Sequence, residues 1–223
     1  MDKLWFWISV LTGVLGVSAQ TDLSGKAFVF PKESDSSHVS LKVVLKKPLQ
    51  NFTLCLRAFT DLTRPYSLFS YSTQKEYNEL LLYKSKGNFY SLYIGGTKVS
   101  TSVKEEALSS VHLCVSWESS SGIAEFWLNG RPLVRKGLKR GYSIGTNPKI
   151  ILGQEQDSYG GGFNKSQSFV GELGDLYTWD SVLFPEEIKY AYHGTIINPN
   201  ILSWKALNYQ INGYVVTKPL VWL

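Results

Sequence analysis

Short apolar runs that read as strands follow one another along this chain, and residues suited to tight turns separate them. No other feature limits its fold as strongly. Phe52, Leu54, Leu56 and Ala58 alternate with Thr53, Cys55, Arg57 and Phe59, the period of a strand with two unlike faces. Further strand-like runs, some of them apolar throughout, cover residues 27–30, ending at Pro31, and then 39–45, 67–71, 79–83, 91–94, 111–117, 123–128 and 150–152. Gly95-Gly96 and Asn129-Gly130 stand where hairpin turns need positive φ. Many short strands joined this way predict an all-β sandwich or jelly roll. One stretch departs from the pattern. Pro185, Glu186 and Glu187 suit a helix N-terminus and Gly194 its end, so a surface helix is predicted over 185–193, with Ile188, Ala191 and Tyr192 on one face. No linker, repeat or low-complexity stretch calls for a second domain.

The first residues read as a signal peptide. An apolar run over 4–17 leads to the small residues of Val17-Ser18-Ala19, and it is short for a membrane span. Residues 1–19 are therefore expected to be removed, leaving 20–223 as one secreted domain. In an oxidising compartment the two cysteines, Cys55 and Cys114, are expected to pair. A net charge of +5 is too modest to imply nucleic acid or membrane by itself.

Chemistry concentrates after the apolar run Ile150-Ile151-Leu152, in Gln154-Glu155-Gln156-Asp157-Ser158-Tyr159 and three glycines, with a further amide at Gln167. Carboxylate, amide and main-chain oxygens on a pliable loop suit calcium, which takes six to eight oxygens in irregular geometry. A solvated acidic turn is the plainer alternative. Glu155 and Asp157 could also serve as the paired acids of a glycoside hydrolase, although no third acid partners them, and His38, His112 and His193 stand near no obvious nucleophile. Arg131, Arg135, Lys136, Lys139 and Arg140 form a run without acids. It reads as a solvated hairpin edge or as a polyanion patch. Asn51-Phe52-Thr53 and Asn164-Lys165-Ser166 are acceptor sequences for N-linked glycan, with Asn51 the site expected to be occupied and Asn164 mostly bare.

The stretch His112-Leu113-Cys114-Val115-Ser116-Trp117-Glu118-Ser119 resembles the signature of the pentraxin family. The likeness continues through Ile123-Ala124-Glu125-Phe126-Trp127, Ile151-Leu152-Gly153-Gln154-Glu155-Gln156-Asp157 and Lys218-Pro219-Leu220-Val221-Trp222, so it spans essentially all of 20–223. It implies a flattened, lectin-like two-sheet jelly roll assembled as a homopentameric disc, with a double calcium site on one face and the helix on the other. By position, Asn78, Glu155, Asp157 and the carbonyl of Gln156 would hold one calcium, and Glu155, Asp157 and Gln167 a second. Leu81, Tyr83 and Tyr93 would wall the ligand site. The family departs from this chain at Tyr77, where the pattern has an aspartate ligand. A phenol is a poor donor to a hard cation, so weaker calcium binding is expected unless Glu76 swings in, which on a strand would need a bulge.

The resemblance further implies a secreted pattern-recognition lectin of innate immunity. Its ligands would be phosphate-, sulfate- or pyruvate-acetal-bearing carbohydrates, phosphoethanolamine, amyloid fibrils and DNA or chromatin, and its partners the complement initiator and immunoglobulin receptors. One branch of the family binds phosphocholine instead. Asn51, Tyr83, Tyr93 and Lys98 place this chain nearer the other branch, because Lys98 stands roughly where the phosphocholine binder has an acid for the choline cation.

Overall fold

The computed structural model describes residues 20–103, 110–196 and 198–222, so the expected signal peptide over 1–19 lies outside it. The strands in chain order are β1 (Lys26–Phe30), β2 (His38–Leu41), β3 (Asn51–Phe59), β4 (Tyr66–Ser72), β5 (Leu80–Ser85), β6 (Phe89–Ile94), β7 (Thr97–Ser102) and β8 (Val111–Glu118). They continue as β9 (Ile123–Leu128), β10 (Arg131–Pro132), β11 (Lys136–Gly137), β12 (Lys149–Leu152), β13 (Gly171–Trp179), β14 (Leu202–Ser203), β15 (Tyr209–Asn212) and β16 (Val216–Pro219). A helix, α1 (Pro185–Tyr192), follows β13. Short 3-10 turns lie at Lys165–Gln167 and Trp204–Ala206.

Two antiparallel sheets form the sandwich. A nine-stranded sheet runs β10-β9-β8-β3-β13-β1-β16, with β11 added to β9 and β14 to β13. A seven-stranded sheet runs β15-β2-β12-β4-β5-β6-β7. The period-two residues meet between them. Phe28, Phe52, Leu54, Trp117 and Phe126 from the first sheet share a buried core with Phe69, Leu80, Leu82, Leu92 and Ile94 from the second. Cys55 and Cys114 are directly opposed on β3 and β8 and form the expected disulfide. In the chain-entropy account, which is model-dependent, closing a loop of this length stabilises by about 4 kcal/mol.

The signature residues prove to be structural. Trp117 is fully buried, and its indole N–H donates to the Leu138 carbonyl at 2.7 Å. His112 is buried between Arg57 and the disulfide, and loss of solvent together with the Arg57 charge pushes its pKa down to about 3. The helix begins at Pro185, where the Glu187 carboxylate accepts the Phe184 N–H at 2.7 Å. It buries Ile188 and Ala191, as its sequence pattern predicts.

Two boundaries differ from the sequence reading, and one strand carries a bulge. The strand expected over 39–45 stops at Leu41, because its partner β12 starts at Lys149, just after Pro148, and the ladder runs out where Ile150 meets Leu41. Residues 73–79 form a turn rather than the start of a strand, so β5 begins at Leu80. A bulge interrupts β13 between Gly174 and Tyr177, with Asp175 at φ 48° and its carboxylate 3.1 Å from Arg57 Nε.

Candidate metal centre

The outer face of the seven-stranded sheet carries the site. At the end of β12 the chain turns sharply at Gly153, where φ is 87° and a Cβ atom would lie 2.2 Å from the Phe30 ring. Only glycine permits that turn. The following loop then folds back over β4. Gln156 anchors it. Its side-chain N–H groups donate to the Ser70 and Lys149 carbonyls at 3.0 Å each, and its oxygen accepts from Ser72 Oγ and the Gly160 N–H at 2.9 Å each. The Gln156 side chain is thereby committed to the fold, leaving only its main-chain carbonyl for a cation. Gln154 is held through its amide nitrogen, which donates to the Ser34 and Ser37 carbonyls, while its side-chain oxygen is buried without a hydrogen-bond partner.

Glu155 lies between these anchors and is 6 % exposed. Gln167 and Asn78 both hydrogen-bond to its carboxylate, Gln167 through its side-chain amide nitrogen. Burial, followed by the nearby charge of Asp157, pushes the Glu155 pKa up to about 7, against the opposing pull of the two amides. Asp157 stands exposed at the rim. The amide oxygens of Asn78 and Gln167 are buried and accept no hydrogen bond. A buried, unpaired acceptor is costly. Two such oxygens beside a buried carboxylate make the donor set of a hard cation, so the residues present fit calcium.

Sequence reading named Asn78, Glu155, Gln156, Asp157 and Gln167, and the fold brings Asn78, Glu155 and Gln167 into hydrogen-bond contact, with Asp157 close enough to shift the Glu155 pKa. Tyr77 is 47 % exposed on the 73–79 turn. Glu76 does not stand on a strand, and its carboxylate serves the turn itself, with Oε1 accepting the Asn78 N–H at 3.0 Å. Its Oε2 occupies the space that Gly96 leaves open.

Beside the carboxylates lies the expected aromatic wall. Tyr83 on β5 and Tyr93 on β6 face outward, while their neighbours Leu82, Leu92 and Ile94 face the core. The Tyr83 pKa is raised to about 12, first by burial and then by Glu155 and Tyr93. Lys98 Nζ lies 5.8 Å from the Tyr93 ring centroid. Leu81 pairs with Tyr93 in register but is 1 % exposed, so it supports the wall from within.

Arg64 escaped sequence reading. Its guanidinium donates to the carbonyls of Ser166 at 3.1 Å and Ser168 at 2.6 Å, clamping the 3-10 turn that carries Gln167. A lone arginine in an aperiodic stretch gives no pattern to find it by. The basic run is partly spent on the fold: Arg135 pairs with Glu125 at 2.7 Å and Arg140 donates to the Ser120 carbonyl. Cys55, His112 and Cys114 cluster closely enough for a metal, but the disulfide leaves no thiolate to bind one. Asn51 opens β3 and is partly exposed, whereas exposed Asn164 caps the Lys165–Gln167 turn by accepting the Ser166 N–H. Among the described residues no helix is long and apolar enough to cross a membrane.

Known proteins resemble this chain along its whole length. It is 65% identical over 223 residues to serum amyloid P-component of Homo sapiens and 64% identical over 222 residues to that of Cavia porcellus, each alignment covering 100% of both chains. A heptameric pentraxin from Limulus polyphemus, 24% identical, superposes with a TM-score of 0.79 over 89% of this chain and 97% of that one, a likeness of fold. Residues 26–219 match the Pentaxin family, and with this sandwich, signature and relatives the chain belongs to the pentraxin family, as a lectin-like binding protein and not an enzyme.

Proposed function

We propose that this pentraxin is a secreted, calcium-dependent pattern-recognition lectin. The observation that carries the reading is the pair of unpaired amide oxygens, Asn78 Oδ1 and Gln167 Oε1, beside the buried carboxylate of Glu155. Asn78, Glu155, Asp157 and the Gln156 carbonyl would hold one calcium, and Glu155, Asp157 and Gln167 a second. Bound calcium supplies open coordination positions for anionic oxygens.

The chain's own residues do the rest. Tyr83 and Tyr93 shield one side of the ligand from water. Lys98 adds a positive charge at the edge of that wall, which favours phosphate, sulfate or pyruvate-acetal groups and disfavours a choline cation. Both phosphoethanolamine and phosphocholine carry a cation, so the preference for phosphoethanolamine rests on the family branch that Asn51, Tyr83, Tyr93 and Lys98 indicate. The relatives' name supports amyloid fibrils as a ligand surface, and chromatin offers comparable repeated anions.

One such site binds weakly. Repeated on a homopentameric disc, it gains by avidity, by roughly 10²–10⁴ on a repetitive surface. Complement and immunoglobulin-receptor partners follow from the family resemblance and would engage the helix face.

Retention of the secreted protein on agarose and on phosphoethanolamine resin, with and without calcium, tests the reading. Binding in calcium, release by EDTA and elution by free phosphoethanolamine before phosphocholine are expected. Equal retention in EDTA would overturn it. Preferential elution by phosphocholine would favour the phosphocholine branch instead.

A further inference from the structure

The candidate site is assembled from two distant segments, the 73–79 turn that carries Asn78 and the 154–167 loop that carries Glu155 and Gln167. Within the ligand set the Asn78–Glu155 hydrogen bond links the two directly, and the Gln156 side chain ties the loop to Ser70 and Ser72 just before the turn. A third segment, residues 142–147, touches both.

Its first grip is on Glu79, the residue after Asn78. Glu79 is 2 % exposed. Its Oε2 accepts the Tyr142 hydroxyl at 2.8 Å and its Oε1 the Gly145 N–H at 2.5 Å. The main chain completes this end: Gly95 N–H donates to the Glu79 carbonyl and Gly96 N–H to the Asn78 carbonyl, each at 3.1 Å. The fold makes room for the tyrosine, because a Cβ atom at Gly95 would lie 2.6 Å from Tyr142 Cζ. The second grip is at Asn147, whose carbonyl accepts the Tyr159 hydroxyl from the loop at 2.8 Å.

The segment is itself held. Ser119 Oγ, at the end of the signature stretch, donates to the Tyr142 carbonyl at 2.5 Å, and Ile144 exchanges main-chain hydrogen bonds with Leu49 at 3.0 Å each way. A cleft of about 740 Å³ runs along Thr73, Lys75, Glu79, Tyr142 and Asn147. On that side the turn is backed by the Glu79 hydrogen bonds rather than by packed side chains.

We infer that Tyr142 is a positioning residue for the cation site. Through Glu79 it fixes the turn so that the Asn78 amide meets Glu155, and through Asn147 and Tyr159 the same segment sets the loop across from it. This rests on the calcium reading above. Residues that orient metal ligands from outside the ligand set commonly change affinity 10- to 100-fold when lost.

Tyr142→Phe keeps the ring over Gly95 and removes only the hydroxyl. Calorimetric calcium titration should give a dissociation constant about tenfold higher than wild type. The melting temperature in EDTA should fall by only about 3 °C, the shift expected for one lost hydrogen bond in a domain of this size. Tyr159→Phe removes the other grip. If both act through one segment, the double variant loses less affinity than the product of the two single losses. Wild-type affinity in Tyr142→Phe, with the same drop in melting temperature, would make the tyrosine purely structural and overturn the inference. So would strictly multiplicative losses. A wild-type protein that takes up no calcium would overturn the calcium reading itself and the inference with it.

Discussion

Gln167 donates its side-chain amide to the Glu155 carboxylate across the neck of the loop between them, tying the loop's two ends together without metal. Gln156 anchors the start of the loop and Arg64 its 3-10 turn, while the glycine-rich middle is held chiefly by the Gly160 N–H on Gln156, the Ser158–Gly161 main-chain pair and the Tyr159 hydroxyl on Asn147. Its glycines and polar residues bury little apolar surface to offset the entropy of fixing the backbone. Removing calcium should therefore expose the loop to cleavage at Tyr159, Phe163 and Lys165. Chymotrypsin and trypsin time courses in calcium and in EDTA check this, with cleavage expected only in EDTA. Equal rates would mean that the neck and these anchors order the loop without calcium.

His112 gives the fold a pH dependence separate from that of the site. Burial and Arg57 depress its folded pKa to about 3, against about 6.5 for an unfolded histidine. Above pH 6.5 neither state takes the proton. As the pH falls below 6.5 the unfolded chain binds a proton that the native state refuses, so stability declines by about 1.4 kcal/mol per pH unit until near pH 3. In EDTA, the stability of wild type relative to His112→Leu should be constant from pH 7 to 8 and fall with that slope from pH 6 to 4. Urea melts at each pH give the difference. A flat difference throughout would show that the native imidazole takes up its proton as readily as the unfolded one.

Much of this architecture was legible because a strand with one apolar face writes its period into the sequence. Phe52, Leu54 and Leu56 are one example, and the glycines of the 95–96 turn, both at positive φ, are another. The proposed calcium residues Glu155, Gln156 and Asp157 stand out in the sequence for a different reason: they are contiguous. What stayed hidden depends on contacts between distant segments. Arg64 clamps Ser166 and Ser168 from a stretch with no pattern of its own. The early end of β2 is decided by where its partner β12 begins. Glu76, expected on a strand, lies instead on a turn closed where the Thr73 N–H donates to its carbonyl.

The two glycan acceptors differ in what the fold does with them. Asn51 is partly exposed at the start of β3, and its partner Thr53 becomes fully buried, with its hydroxyl donating to the Ser181 carbonyl. Asn164 caps the turn that presents Gln167, and its side-chain oxygen accepts from both Ser166 N and Ser166 Oγ. Glycan on Asn164 would crowd the calcium face, and early folding of the loop in calcium would compete with its attachment. Intact mass and glycopeptide spectra should find Asn51 occupied and Asn164 mostly bare. An Asn164→Gln variant should then bind phosphoethanolamine resin as wild type does. Heavy occupancy at Asn164 would contradict this.

Tyr77 is expected to weaken the first of the two proposed calcium positions. The family resemblance places a carboxylate there, whereas this chain has a phenol that is half exposed on the turn. Glu76 does not replace it, because its carboxylate accepts the Asn78 N–H and fills the space beside Gly96. Glu155 and Asp157 are then the side-chain carboxylates left for two dications, and ligand charge count tunes calcium affinity. Tyr77→Asp restores the missing charge on a turn already bent for it, with no buried contact to lose. Its calcium dissociation constant should fall on the order of tenfold, about 1.4 kcal/mol. Retention on phosphoethanolamine resin should then persist to correspondingly lower calcium. The Ca-free melting temperature should stay close to wild type or fall slightly, since the new carboxylate faces Glu155 and Asp157 without a cation. Calorimetry on the two proteins decides the matter, and identical isotherms would mean that water or the Gln156 carbonyl already completes the site.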